Sequence, residues 1–448
     1  MKKLTTLLLA AGLVVSSFTG AQAGEFKPNL QFAEEFSYGD AGSKDEKENF
    51  AAVSRIRMGF DYIQSEDLSA TLLFQYGGYN WGKGHFNGDP VVEGDLKMRL
   101  AYIDWTIPGT DVKVRMGRQA MVAPSYAFGS PILDSRGDGI SFVAPINDNI
   151  NVGLTWARAA RDESTFNATE GRGKYDTADM LMLNAEFAYD GFKVAPWAMY
   201  INKQNDAGNK YMKPAVPSTT YASIRNANAD AFVIGASAEL NMFDPFVFAL
   251  DALYNNIKFH DIPAAQEDSF DGFYVAAKAS YKFSNGTAGF GGWYSSGMDE
   301  ADKNDTGFVV LDGGFSASHI LFDGNVIGAD GFTNVYNDGA DSPFGTWGLI
   351  AEYADFSFLE NLSHTARILY VQGTNDKDSG INRSDILGEG FTEDDSAIEI
   401  DFNTTYQIYK NFSATLQLGY VFFDQSKIDS EDEQDDIFRS ALAFVYKF

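Results

Sequence analysis

From about residue 28 to the C-terminus the chain alternates large apolar side chains with polar or small ones, segment after segment. Ile56, Met58, Phe60 and Tyr62 oppose Arg55, Arg57 and Asp61, and Leu68, Ala70, Leu72, Phe74 and Tyr76 oppose Ser69, Thr71 and Gln75. The last segment puts Phe438, Ser440, Leu442, Phe444, Tyr446 and Phe448 on one face and Arg439, Ala441, Ala443 and Lys447 on the other. A period of two means strands. Eighteen segments read this way, at 28–38, 51–63, 68–79, 95–106, 112–118, 140–144, 150–158, 179–189, 192–201, 230–240, 245–255, 272–283, 288–296, 344–354, 364–372, 397–408, 412–423 and 436–448.

The polar faces carry too much charge for the dry interior of a sandwich, and the connections separate the two architectures. Short ones (64–67, 107–111, 145–149, 190–191, 241–244, 284–287, 355–363 and 409–411) alternate with long ones such as 119–139, 159–178, 202–229, 297–343 and 373–396. Short turns on one rim and long loops on the other belong to a transmembrane antiparallel β-barrel. Closure is what lets a sheet enter lipid, since it leaves no unpaired backbone group facing hydrocarbon. Both termini fall on the short-turn rim, so the strand number is even. Eighteen is the expected count and sixteen the alternative; the stretch 297–343 leaves room for one further hairpin around Phe308–Leu311 and His319–Phe322.

Composition narrows the picture. With 15% aromatic residues and 45% hydrophobic ones the chain is not a solvated coil, and the absence of cysteine excludes disulfides and thiolate metal sites. A net charge of −28 excludes a phosphate-binding, nucleic-acid surface. Lys2 and Lys3, the apolar run Leu4–Val15 and Ala21-Gln22-Ala23 read as a secretory signal cleaved after Ala23. Residues 24–448 then form a single barrel domain exported to the outer membrane of a Gram-negative cell. Past residue 23 no apolar run approaches the roughly 18 residues a membrane helix needs. The four histidines (His85, His260, His319 and His364) sit in or near connections and support neither a metal site nor a hydrolytic triad. No cofactor is implied.

Three strands near the N-terminus place bases on the polar face: Arg55 and Arg57, Lys97 and Arg99, Lys113 and Arg115. Neighbouring strands would stack them into a basic wall, extended by Arg118, while Ile56, Met58, Leu96, Met98, Leu100, Val112, Val114 and Met116 face lipid. The connection from Gln119 to Gly139 is unusually apolar, with Met121, Val122, Pro124, Tyr126, Phe128, Pro131, Ile132 and Leu133, and it ends in Asp134-Ser135-Arg136-Gly137-Asp138. Folded into the barrel, this third loop would pack on the wall and present Asp134 and Asp138 to the bases. Opposed charges across a narrow gap make a transverse field that sorts solutes.

These residues carry a resemblance. Val114-Arg115-Met116-Gly117-Arg118-Gln119 resembles the strand that precedes the constriction loop of Gram-negative trimeric porins. Asp134-Ser135-Arg136 with Ile140-Ser141-Phe142-Val143-Ala144-Pro145 is similar to their loop exit and following strand. The whole mature chain looks most like the outer-membrane homotrimeric porins of sulfate-reducing bacteria. The resemblance implies a homotrimer with one pore per subunit, and makes terminal Phe448 the signal read by the outer-membrane assembly machinery. Outer-membrane lipid and lipopolysaccharide would surround it, and small hydrophilic solutes would pass through it.

The sequence therefore points to a porin for passive diffusion of small hydrophilic solutes and ions, not an enzyme. The alternative is a solute-specific channel of eighteen strands for an anion or a sugar. The basic wall favours anions and the overall acidity favours cations; screening beyond about 8 Å at physiological salt gives weight to the local bases, and the sequence leaves the sign of the selectivity open.

Overall fold

The computed structural model describes residues 24–39, 49–82, 96–167, 172–204, 212–214, 227–260, 262, 268–298, 306–322, 342–377, 391–424 and 436–448. The expected signal at 1–23 lies outside the described residues. The strands are β1 (Glu25–Gly39), β2 (Asn49–Ser65), β3 (Leu68–Asn80), β4 (Leu96–Thr106), β5 (Lys113–Val122), β6 (Asp134–Asn147), β7 (Ile150–Asn167), β8 (Arg172–Tyr189), β9 (Phe192–Lys203) and β10 (Met212–Pro214). They continue with β11 (Asn228–Phe243), β12 (Phe246–His260), β13 (Ser269–Phe283), β14 (Gly286–Ser295), β15 (Gly307–Val309), β16 (Thr346–Phe356), β17 (Leu362–Gly373), β18 (Ser396–Tyr409), β19 (Phe412–Asp424) and β20 (Ile437–Lys447).

Every strand except β10 and β15 joins one 18-stranded antiparallel sheet, which closes because β1 pairs with both β2 and β20. Terminal Phe448 completes the seam by exchanging backbone bonds with Leu30, at 2.8 and 3.0 Å. All eighteen expected segments are barrel strands, so the alternative of sixteen falls away. The stretch 297–343 adds no barrel hairpin among its described residues. Its short strand β15 pairs with β10 as a separate ribbon.

Several boundaries move. The Gly-rich segment Asp134–Gly139, expected as loop, is the start of β6, which shortens the third connection to 123–133. Its glycines serve close packing rather than a turn, since a Cβ at Gly139 would stand 2.3 Å from the Trp156 carbonyl oxygen. Strands β7 and β8 likewise run far beyond the expected 150–158 and 179–189.

The outer face is apolar, with two aromatic belts. On β12, Phe246 and Tyr254 mark the lower and upper belt, about 20 Å apart along the axis at roughly 3.4 Å per residue and a tilt of roughly 40°. Tyr189 and Phe192 stack at 5.2 Å in the lower belt, and Phe273 and Tyr294 at 5.6 Å in the upper. On β4 the alternation slips. A bulge at Arg99 separates the pairs Leu73↔Leu100 and Phe74↔Met98, so Met98 and Ile103, an odd number apart, share the exposed face at 48% and 47%. Leu100, expected toward lipid, is thereby out of phase with Met98.

The inner face is not uniformly wet. Trp197, Met199 and Ile201 of β9, Val233 of β11, Ile257 and Phe259 of β12, Phe270 and Tyr274 of β13 and Trp293 of β14 are buried against Phe128, Ile132, Leu133, Phe315, Ile320 and Phe322. Met180-Leu181-Met182-Leu183 shows what this asks of a strand: Met180 and Met182 are buried inside while Leu181 and Leu183 are 45% and 52% exposed outside. Charged lumen faces remain on the strands near the chain's N-terminus, where the expected bases are, and on β13 and β16–β18, where Lys278, Glu352, Arg367, Glu399 and Asp401 face inward.

Candidate pore constriction

The third loop folds inward, across the lumen from β5 to the far wall. Its turn is held by one carboxylate: Asp251 of β12 accepts from the Ser125 hydroxyl and from the backbone N–H groups of Tyr126 and Ala127, each at 2.8 Å. Ser237 of β11 donates to the Pro124 carbonyl at 2.8 Å. Phe128 then packs edge-on to Trp293 at 5.9 Å, with the Lys278 ammonium 5.7 Å from its ring centroid. Burial and the nearby acids Glu186, Glu239 and Asp251 push the Tyr126 phenol above its usual value, so it stays a neutral donor.

A second inward segment, 306–322, comes from the long connection between β14 and β16. Glu399 of β18 holds it by accepting from the Ser318 hydroxyl (2.6 Å) and the backbone N–H groups of His319 (2.9 Å), Ile320 (2.7 Å) and Leu321 (3.0 Å). Asn255 of β12 donates to the Gly307 carbonyl at 2.8 Å. The His319 ring is buried. Three donors converge on its Nε2, Asn403 Nδ2 at 2.9 Å and Arg367 Nη1 and Gln417 Nε2 at 3.4 Å.

The two inward segments are joined to each other. Leu311 N–H donates to the Ile132 carbonyl (2.9 Å), Asp134 N–H to Asp312 (2.7 Å), Gly314 N–H to Ser130 (2.8 Å) and Ser316 N–H to Phe128 (2.9 Å). Gly129, with φ of +86°, approaches Gly314 so closely that a Cβ there would lie 2.1 Å from the Gly314 oxygen. The inward segments thus form one composite body built from two loops, pressed against one side of the barrel.

The expected basic residues lie on the other side. Arg57 Nε and Arg99 Nη1 both donate to Gln75 Oε1, at 2.9 and 2.7 Å, and Arg57 Nη1 reaches Gln31 Oε1 at 3.3 Å. Arg55 acts electrostatically on Arg57, and Arg118 on Arg99. Arg136, which the sequence marks only as part of the loop exit, acts on both and joins this cluster. Lys97 and Lys113 are exposed. Lys113 lines a cavity of about 550 Å³ with Asp104, Gln119, Ser141 and Thr155.

Arg115 is differently placed, gripped by Asp104 through two bonds of 2.7 Å with its guanidinium 4.1 Å from the Tyr102 ring centroid. Arg118 spans the line where β4 and β5 part, donating from Nε to the Met98 carbonyl at 3.1 Å and pairing with Asp138 at 3.3 Å. Asp138 therefore meets Arg118. Asp134 sits at the joint of the two loops, its side chain against Gly314. Asp251, Glu399 and the second inward segment carry no local signature, because each anchor meets a partner far away in sequence.

No protein-family model and no curated protein matches this sequence. Solved structures do match. Pseudomonas aeruginosa OccK2 (OpdF) superposes with a TM-score of 0.56 at 12% identity, covering 95% of this chain and 98% of that one. Acinetobacter baumannii OccAB3 gives 0.55 at 12%, over 95% and 100%. The outer membrane protein OprD of Pseudomonas aeruginosa gives 0.53 at 11%, over 96% and 95%. The barrel is similar to theirs from end to end. At such identities the likeness is one of fold.

Proposed function

We propose that the chain forms an outer-membrane channel for passive diffusion of small hydrophilic solutes and ions, with anions favoured at the constriction. One observation carries this reading. The inward loops leave the wall of β2–β4 lining the pathway, and there Arg57 and Arg99 are held by amides rather than by carboxylates. Uncancelled charge in a narrow, partly dry gap acts more strongly on a passing ion than the same charge on an open surface. The test is the reversal potential of the purified protein in planar bilayers under a KCl gradient. Chloride preference is expected, and its loss in the R57A/R99A double variant; an unchanged ratio refutes the assignment.

A narrower reading, a channel specific for a carboxylate, is favoured by the match to OccK2, whose crystal structure was also determined in complex with glucuronate (TM-score 0.55, 11% identity). Block of the KCl current by micromolar glucuronate supports it over a general pore. The trimeric state and the kinship with porins of sulfate-reducing bacteria are the finer parts of the same proposal. Mass measurement of the detergent-solubilised assembly decides the first.

A further inference from the structure

We propose that Gln75 is a positioning residue: its amide oxygen clamps Arg57 and Arg99 side by side without cancelling their charge, so that the pair presents a preorganised seat for one oxyanion. The inference rests on the channel reading above and deepens it. Two guanidinium groups repel, and side chains of this length turn apart when nothing holds them. Here one neutral oxygen accepts from both. The other end of the amide is fixed as well, since Gln75 Nε2 donates to the Gly77 carbonyl at 3.1 Å. With Gln31 steadying Arg57, most guanidinium N–H donors are left for a ligand.

The contrast with other arginines of the barrel is what gives the arrangement meaning. Arg115 is held by Asp104 and Arg158 by Asp179, each a carboxylate that neutralises its partner, and Arg367 pairs with Glu352, a carboxylate it shares with Lys278. Arg57 and Arg99 form no ion pair among the described residues, and their side-chain acceptors are amides.

The backbone is adjusted on both sides of the clamp. The β2–β3 register shifts where Arg55 pairs with Gly77, two residues beyond Gln75. The β3–β4 register shifts at the Arg99 bulge, on the neighbouring strand. Bulges re-aim side chains at functional sites. Two of them meeting at one glutamine is what bringing two arginines to the same oxygen demands.

The experiment compares Q75E and Q75L with the parent channel, reading the chloride-to-potassium permeability ratio and the glucuronate concentration that half-blocks a KCl current. Q75E keeps the shape but adds a charge. A unit charge at about 5 Å acts with opposite sign on the two ions, so the ratio is expected to fall roughly tenfold. Q75L keeps both positive charges and removes the clamp. Its ratio stays within about twofold of the parent while the half-blocking concentration rises about fivefold or more, the split expected of lost orientation without lost charge. Heat-modifiable mobility on gels confirms that each variant has assembled, and if Q75E fails to assemble Q75L decides alone. Parental half-block in Q75L, or a parental ratio in Q75E, overturns the clamp while leaving the channel reading intact. An R57A/R99A channel that keeps the parental ratio overturns instead the assignment of anion preference to these two arginines, on which the clamp rests.

Discussion

Glu399→Gln is the substitution that most directly tests how the second loop is held. Each oxygen of this carboxylate takes two donors: Oε1 accepts from His319 and Ile320 N–H, Oε2 from Leu321 N–H and the Ser318 hydroxyl. A glutamine of the same shape has one oxygen and one NH2, so two buried donors face another donor. At roughly 1.5–3 kcal/mol for each bond to a charged acceptor, the variant loses about 3–6 kcal/mol of anchoring. Every 1.4 kcal/mol is about tenfold, so the released population rises at least roughly a hundredfold. The bonds to the first loop oppose that release. The chain has no cysteine, so Ala317→Cys, at a position 1% exposed, introduces a unique reporter. Maleimide labelling of A317C should be fast in the E399Q background and slow without it, with a larger and noisier single-channel conductance. Equal labelling rates together with unchanged conductance would refute the anchor.

Further outcomes follow from the same geometry. Burial and the neighbouring Arg367 push His319 down to about 3, even though Asp401 Oδ1 lies 3.6 Å from its Nδ1. An imidazole held below its ordinary value of about 6.5 stabilises the folded loop fully above that pH and progressively less as pH falls toward 3. Conductance fluctuations should therefore grow as pH falls from about 6 to about 4, as read in planar bilayers at stepped pH, and H319Q should flatten that dependence. Gly129→Ala forces a Cβ into the Gly314 carbonyl at a positive φ, and is expected to part the two loops at a cost of about 1–3 kcal/mol, seen as protease sensitivity of intact barrels. Asp251→Ala leaves two N–H groups and a hydroxyl of the first loop without their acceptor. Combined with E399Q it should increase conductance by more than the sum of the single effects, because the two loops brace each other; strict additivity would count against the composite body.

The sequence carried the barrel in full because alternation and connection length are local signals. All eighteen strands could be read from it, and the apolar stretch around Phe128 marked the first inward loop. What it could not carry is long-range pairing. Glu399 looks like any lumen acid, and only the fold shows that its partners lie some 80 residues away. The Gly-rich exit at 134–139 imitated a turn because close packing against Trp156 and a turn favour the same residue. Leu100 went out of phase because a bulge leaves no mark in a hydrophobicity pattern. Arg136 was hidden among loop-exit residues, and only the closed barrel brings its charge to bear on Arg57 and Arg99.

The greasy interior has a practical corollary for anyone wishing to widen this pore. In a barrel whose inner wall is wetted all round, an occluding loop is an ornament that can be trimmed. Here Trp197, Ile201, Phe259, Phe270 and Trp293 would be left facing water from within. Excision would turn a conduit into a sticky, collapsing shell, and redesign is better aimed at the strip of wall from β2 to β4.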